Sequence, residues 1–316
     1  MKANLLKLLL FIAVQAFAFD PPTEEEQIQA IGKILPTDHH SKACFSISKC
    51  FHPIPAPSPI DWLANVDEPG QTYEQFRKRN YPKPNEKKRR IYLQPIGVFQ
   101  DHAPSIEDLK DYAELFFGMQ FVILPTVRID SEGIRSRTHP TQRHRQMYAD
   151  DILRLLHRNK PKDAYAVLGL TMTDMFSGSK NNFVFGVAST SHRTAVFSFA
   201  RNDPEFYDAL WKPTYAPLVL KRSMRVMTHE LGHLFGLMHC IHFACLMNGA
   251  NHLQESDRQP LHLCPVCLRK LHHQVGFEIV PRYKALNGFF KSHQFQAEDE
   301  FTQTRMQEIE LARISL

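Results

Sequence analysis

The sequence predicts an α/β (α+β) chain built on a twisted, mostly parallel sheet, and three observations carry that expectation. Strand-like and helix-like patterns alternate between residues 91 and 171, the rhythm of a parallel sheet with crossover helices. A long helical pattern over 217–235 then stops at Gly236. Beyond it lies a Cys-rich subregion with two close pairs of cysteines. The chain has 316 residues, 43% of them apolar, enough to fill a sizeable core. Its net charge of +5 is modest and does not by itself point to nucleic acid or a membrane surface.

In chain order, residues 1–18 read as a secretory signal peptide. Lys2 gives a short basic start, 8–14 is an unbroken apolar run, and Ala16-Phe17-Ala18 is an A-x-A cleavage site. The run is too short to span a bilayer, so no stable membrane anchor is expected. The chain is then secreted; a buried N-terminal helix and a cytoplasmic location form the competing reading. Residues 19–88 are an N-terminal extension of mixed character, with a helical start at 24–31 and a proline-rich connector at 52–59. Cys44 and Cys50 would pair in an exported chain and stay inert thiols in a cytosolic one. The run Lys87-Lys88-Arg89-Arg90 reads as a solvated turn, too short for a nucleic-acid tail.

The main domain spans 89–295. Its first strand, 91–98, is weakened by Pro95. Ser105 caps a helix through 117, with Glu107, Asp108 and Asp111 in its early turns, where they suit the dipole. A short buried strand at 121–124 precedes a polar, basic surface excursion at 129–145. The helix at 147–157 gathers Met147, Ile152, Leu155 and Leu156 on one side. Residues 164–171 form a strand covered on both faces, 182–188 a weak strand interrupted by Gly186, and 195–200 another strand. An aromatic loop at 204–217 leads into the long helix, which has Leu218, Met224, Val226, Met227 and Leu231 to bury. Helical stretches follow at 264–273 and 281–290, and 296–316 reads as a mobile C-terminal tail.

The chemistry lies in His229-Glu230-x-x-His233-x-x-Gly236-x-x-His239. On a helix, His229 and His233 lie one turn apart on one face, so both imidazoles can reach one ion. Glu230 lies beside them, where it can take a proton from water. A straight helix would carry His239 roughly 9 Å further along and about 240° round, out of reach. Gly236 resolves this, since glycine takes positive φ and ends a helix. Three imidazoles with one open position describe a catalytic zinc site. Such a five-position pattern arises by chance on the order of once in ten thousand chains of this kind.

Cys240-x4-Cys245 and Cys264-x2-Cys267 supply four thiols in two pairs, the layout of a structural zinc site. Two disulfides are the alternative, which a secreted chain would permit. His242, His252, His262, His272 and His273 fall off both patterns and read as solvated.

This run resembles the archaemetzincin family of zinc peptidases, a branch of the metzincins, in which the third histidine is followed at once by cysteine and the pattern continues as C-x4-C-x-M and a later CxxC. Here those positions are His239, Cys240, Cys245, Met247, Cys264 and Cys267. Sixteen residues separate Met247 from the CxxC, one fewer than the usual spacing of about seventeen, a loop-length change that is readily tolerated. The resemblance implies that His229, His233 and His239 bind a catalytic zinc, that Glu230 is the general base, and that the four cysteines bind a second zinc. It also implies a metzincin-like sheet, with Met247 beneath the catalytic metal and an edge strand at 182–188 above the cleft.

The expected function is hydrolysis of peptide bonds in peptide or protein substrates. Short peptides and aminopeptidase-like action follow from the resemblance alone. The chain is expected to act as a monomer and to bind no nucleic acid. Two other functions compete: a silent zinc protein that binds peptides without turnover, and a nucleic-acid module built on the cysteines and Lys87–Arg90, against which the missing basic face around Cys264 argues.

Overall fold

The computed structural model describes residues 19–100, 102–178 and 182–314; the expected signal peptide lies outside the described residues. Four short helices come first: α1 (Glu24–Ile31), α2 (His39–Phe45), α3 (Trp62–Asn65) and α4 (Tyr73–Lys78). The sheet region follows as β1 (Arg90–Ile96), α5 (Ile106–Phe117), β2 (Phe121–Ile123), β3 (Ser136–Thr138), β4 (Arg145–Tyr148), α6 (Ala149–Arg158), β5 (Ala164–Thr171), β6 (Asp174–Phe176), β7 (Gly186–Ser189) and β8 (Thr194–Ser198). Five helices complete the chain: α7 (Tyr215–Leu234), α8 (Leu253–Arg258), α9 (Pro265–Val275), α10 (Ile279–Ser292) and α11 (Gln296–Ile314).

The main sheet has the order β2-β1-β5-β8-β7. Its first four strands run parallel and β7 returns antiparallel at the edge. Side chains alternate across it as a pleated sheet requires. Ile91, Leu93, Leu168, Leu170, Ala195 and Phe197 face the larger core with α5 and α7. Tyr92, Ile96, Val167 and Val196 face the smaller one with Ile152, Leu155 and Leu156 of α6. Burial on both faces explains why 164–171 is apolar throughout. Ser105 caps α5 by accepting from Asp108 N–H, and Gly118 ends it in the left-handed region at φ 61°. Pro95 is accommodated inside β1, opposite Leu170, because β2 stops at Ile123 opposite Leu93.

Two expectations need correction. Residues 129–145 are not only a surface excursion: β3 and β4 join β6 in a second, three-stranded sheet, and Met147 belongs to β4 rather than to a helix. That sheet is fixed by the buried Arg201–Asp174 pair (2.9 Å), whose carboxylate also accepts from Gln146 Nε2 at 2.8 Å. Residues 296–314 are not a mobile tail but the helix α11, which buries Thr302, Arg305 and Ile309. Arg305 donates to Cys44 O and Ser48 Oγ, and Glu298 pairs with Lys221 of α7 at 2.6 Å. The seam is polar, which is why its composition reads as solvent-facing. The N-terminal extension packs on the main domain, with Ala30, Ile31, Cys44, Phe45 and Phe76 buried in the larger core. No helix among the described residues is long and apolar enough to cross a membrane.

Candidate metal centres and cleft

Helix α7 places His229 and His233 on one face and ends at Phe235, after which Gly236 turns at φ +89°. A Cβ there would also lie 2.5 Å from the Tyr81 ring, so both backbone and packing demand glycine. The turn brings His239 back to the other two rings, at centroid separations of 5.3 Å from His229 and 5.1 Å from His233.

Each ring's Nδ1 has an outward acceptor. His229 Nδ1 donates to Leu246 O at 2.9 Å, His233 Nδ1 to Leu237 O at 2.7 Å, and His239 Nδ1 to Glu68 Oε1 at 2.6 Å. Carbonyl and carboxylate oxygens can only accept, so every Nδ1 carries its hydrogen and the second nitrogen, Nε2, is the free donor atom of the neutral ring. Burial and the neighbouring imidazoles hold His229 well below, and His239 below, the usual histidine range, which keeps them neutral. The Nε2 atoms of His229 and His233 face each other at 3.1 Å. That spacing is close to the edge of about 3.3 Å of a tetrahedron with zinc–nitrogen bonds of ordinary length, so one cation could take both lone pairs. The donor set fits zinc.

Glu230 is partly buried beside the tripod, with its carboxyl raised by burial and pulled partly back by His233. A Cβ on Gly186 would lie 3.1 Å from Glu230 Cγ, so the start of β7 runs directly over the acid. Met247 is buried against α7, its Sδ 2.6 Å from where a Cβ on Gly232 would fall. His229, Glu230 and His239 open onto a cleft of about 690 Å³, also lined by Trp62, residues 182–186, Val226, Asn251 and Leu253.

The second centre is closed. Cys240, Cys245, Cys264 and Cys267 are all buried, with their Sγ atoms within 4.8 Å of one another. No disulfide is formed among them, and Cys240 Sγ lies 3.6 Å from Cys264 Sγ. That is far from a bonded pair at about 2.05 Å and near the edge of about 3.8 Å for a tetrahedral zinc–thiolate site. Hydrogen bonds from the other three thiols push Cys240 well down, while burial pushes Cys245 and Cys264 well up. A divalent ion at their centre would accommodate four buried thiolates. Backbone N–H groups of Met247 and Cys264 point at Cys245 Sγ (3.5 and 3.3 Å).

The structure thus brings together every residue singled out from the motifs. Cys44 and Cys50 are unpaired, and burial raises the Cys44 thiol to about 11. The five off-pattern histidines are not solvated as expected, because elements from both the N-terminal extension and the C-terminal helices pack over them. His262 stacks on Phe301 (3.6 Å), His272 meets Phe45 and Phe277, His273 bonds Tyr73, His252 bonds Asp61, and His242 is buried. Asn248 was missed: its side chain accepts from Cys245 N–H and donates to Cys240 O and Phe243 O, stapling the cysteine loop. Trp62 and Glu68 were missed as well. Trp62 lies against Gly249 and edge-on to His239, and α3 is clasped to α8 by Asp61–Arg258 and by Trp62 N–H donating to Glu255. Nothing local in the sequence marks either residue; they matter through contacts with residues far along the chain.

Fold and site together define a zinc metallopeptidase, and residues 122–273 match the model of Peptidase family M54. The chain belongs to the archaemetzincin family. It is 40% identical over 264 residues to archaemetzincin-2 of Rattus norvegicus, spanning 75% of this chain and 74% of that protein. With archaemetzincin-2 of Homo sapiens the identity is 39% over 267 residues, 76% of this chain and 74% of that one. A crystal structure of archaemetzincin from Methanopyrus kandleri is 27% identical, with a TM-score of 0.45, covering 61% of this chain and 99% of that chain.

Proposed function

We propose that this chain hydrolyses short peptides, with aminopeptidase-like action, at a zinc ion held by His229, His233 and His239. Glu230 is the general base, and Cys240, Cys245, Cys264 and Cys267 hold a second, structural zinc. The observation that carries the reading is the set of three Nδ1–H groups tied outward, which leaves three bare nitrogens converging at the floor of a cleft. Zinc in such a tripod supplies a Lewis acid for the scissile carbonyl and lowers the pKa of a bound water to about 7.

The chain's own residues do the rest. Glu230 accepts the proton of the attacking water on its carboxylate and returns it to the leaving amine nitrogen. Its burial raises its proton affinity, which suits a base. Met247 fills the floor beneath His229 and His233 and holds their helix against the loop. Beyond β8, the outer edge of β7 carries no strand among the described residues, so an extended peptide can pair along it and bring its carbonyl to the tripod.

A Glu230→Gln variant is expected to keep its fold and both zinc ions while losing hydrolysis of short peptides about 10²–10⁴-fold. Undiminished hydrolysis would refute the base, and a wild type that binds peptides without cleaving them would favour the silent binding protein. Export is proposed on residues 1–18 alone; a mature secreted chain beginning at Phe19 is the expected product, and an intact N-terminus on intracellular protein would count against it.

A further inference from the structure

We propose that Glu68, in the segment between α3 and α4, is a positioning residue of the catalytic metal centre, rather than a surface acid of an N-terminal extension. The inference rests on the zinc reading of the tripod given above. Glu68 lies 171 residues before its partner and outside the span that matches the peptidase family model.

The three imidazoles are not held alike. His229 and His233 are fixed by α7, and their Nδ1 groups donate to neutral backbone carbonyls. His239 sits on irregular chain beyond Gly236, where no helix sets its rotation or its distance. The extension supplies what the helix cannot. Glu68 Oε1 accepts from His239 Nδ1 at 2.6 Å and from Trp62 Nε1 at 2.9 Å, and its side chain is only 12% exposed. Trp62 meets the His239 ring edge-on at 5.2 Å. Gln71 donates to Gly236 O and accepts from Met238 N–H, both at 3.3 Å, holding the turn itself. Lys270 Nζ in turn donates to Gln71 O.

A carboxylate acceptor does two things a carbonyl does less well. The charge-assisted bond is stronger, so it fixes the ring's tautomer and aim more firmly. It also raises the basicity of the opposite nitrogen, strengthening it as a ligand. Both effects act on the one ligand that α7 does not hold, so removing the charge there weakens the open centre and leaves the cysteine centre untouched.

The test uses full-length protein stripped of metal at the tripod, titrated with Zn2+ against a competing chelator, and in parallel with Co2+ to read ligand-field bands of the tripod apart from the sulfur-to-metal bands of the cysteines. Glu68→Gln preserves shape and removes charge; it is expected to lower tripod affinity about 10–100-fold and shift the tripod's Co2+ bands, with the cysteine bands unchanged. Trp62→Phe keeps the aromatic wall and leaves Glu68 bonded to His239; it is expected to bind zinc within a few-fold of wild type. Equal affinity and spectra in Glu68→Gln and wild type would overturn the proposal, as would an equally large loss in Trp62→Phe, which would make Glu68 a buttress for the tryptophan. If wild type itself takes no metal at the tripod, the zinc reading fails instead.

Discussion

Two adjacent residues, His239 and Cys240, belong to centres built on opposite principles. The histidine centre is partly exposed, sits at the floor of a cleft and fixes its rings through outward hydrogen bonds. The cysteine centre is wholly buried, with four thiols facing inward and backbone N–H groups on the sulfurs. One is arranged to leave room for a reacting molecule, the other to leave none. Their closeness shows how the closed centre can serve the open one: it anchors the loop that carries Leu246 O and Met247 to the helix bearing His229 and His233.

The contrast can be broken from either side. The largest effect is expected from Cys245→Ser, which removes a ligand from the closed centre and the anchor of its loop. Structural zinc contributes on the order of 10 kcal/mol in small domains, so the variant is expected to lose both metals and unfold cooperatively at far lower denaturant. Retention of tripod zinc with normal stability would separate the two centres. Next comes Asp174→Asn, which leaves Arg201 buried without its counter-charge. A loss of about 3–5 kcal/mol is expected in urea unfolding, along with weaker peptide binding, because Gln146 ties the same network to Asn182 at the cleft rim. An unchanged midpoint would show that the second sheet does not support the cleft.

Gly236→Ala sharpens the comparison from the open side. The new Cβ meets both an unfavourable φ and the Tyr81 ring, at a cost on the order of 2–3 kcal/mol. Tripod zinc is expected to fall while cysteine-bound zinc stays, as read by metal analysis after brief chelation. The smallest effect is a pH dependence. Burial holds His262 at about 3 against an ordinary 6.5. Between those values the unfolded chain takes up a proton that the folded ring refuses. Its contribution is therefore intact above pH 6.5 and lost as the pH falls toward 3. Unfolding of His262→Phe measured over that window is expected to show a shallower acid dependence than wild type; parallel curves would exclude this histidine as the source.

Much of this was legible in the sequence, and the pattern of what was not is physical. Residues that act through fixed local spacing were readable: the two helical histidines, the glycine that bends toward the third, the cysteine pairs, the Ser105 cap and the strands that alternate on both faces. Residues that act through distant partners were not. Glu68 is an unremarkable acid until the fold places it on His239. Arg305 and Glu298 make α11 look solvent-facing because their burial is balanced by Cys44 O, Ser48 and Lys221. The histidines assumed to be solvated are covered by helices whose packing no local pattern announces.

We propose that one stretch of chain holds two zinc ions in centres of opposite accessibility. Metal analysis of the purified chain, with thiols counted before and after mild chelation, tests it most directly. The expected result is about two zinc ions per chain, one removed rapidly with loss of peptide hydrolysis and the other retained with four protected thiols. A chain with no transition metal, or one whose hydrolysis survives removal of the labile ion, would contradict it.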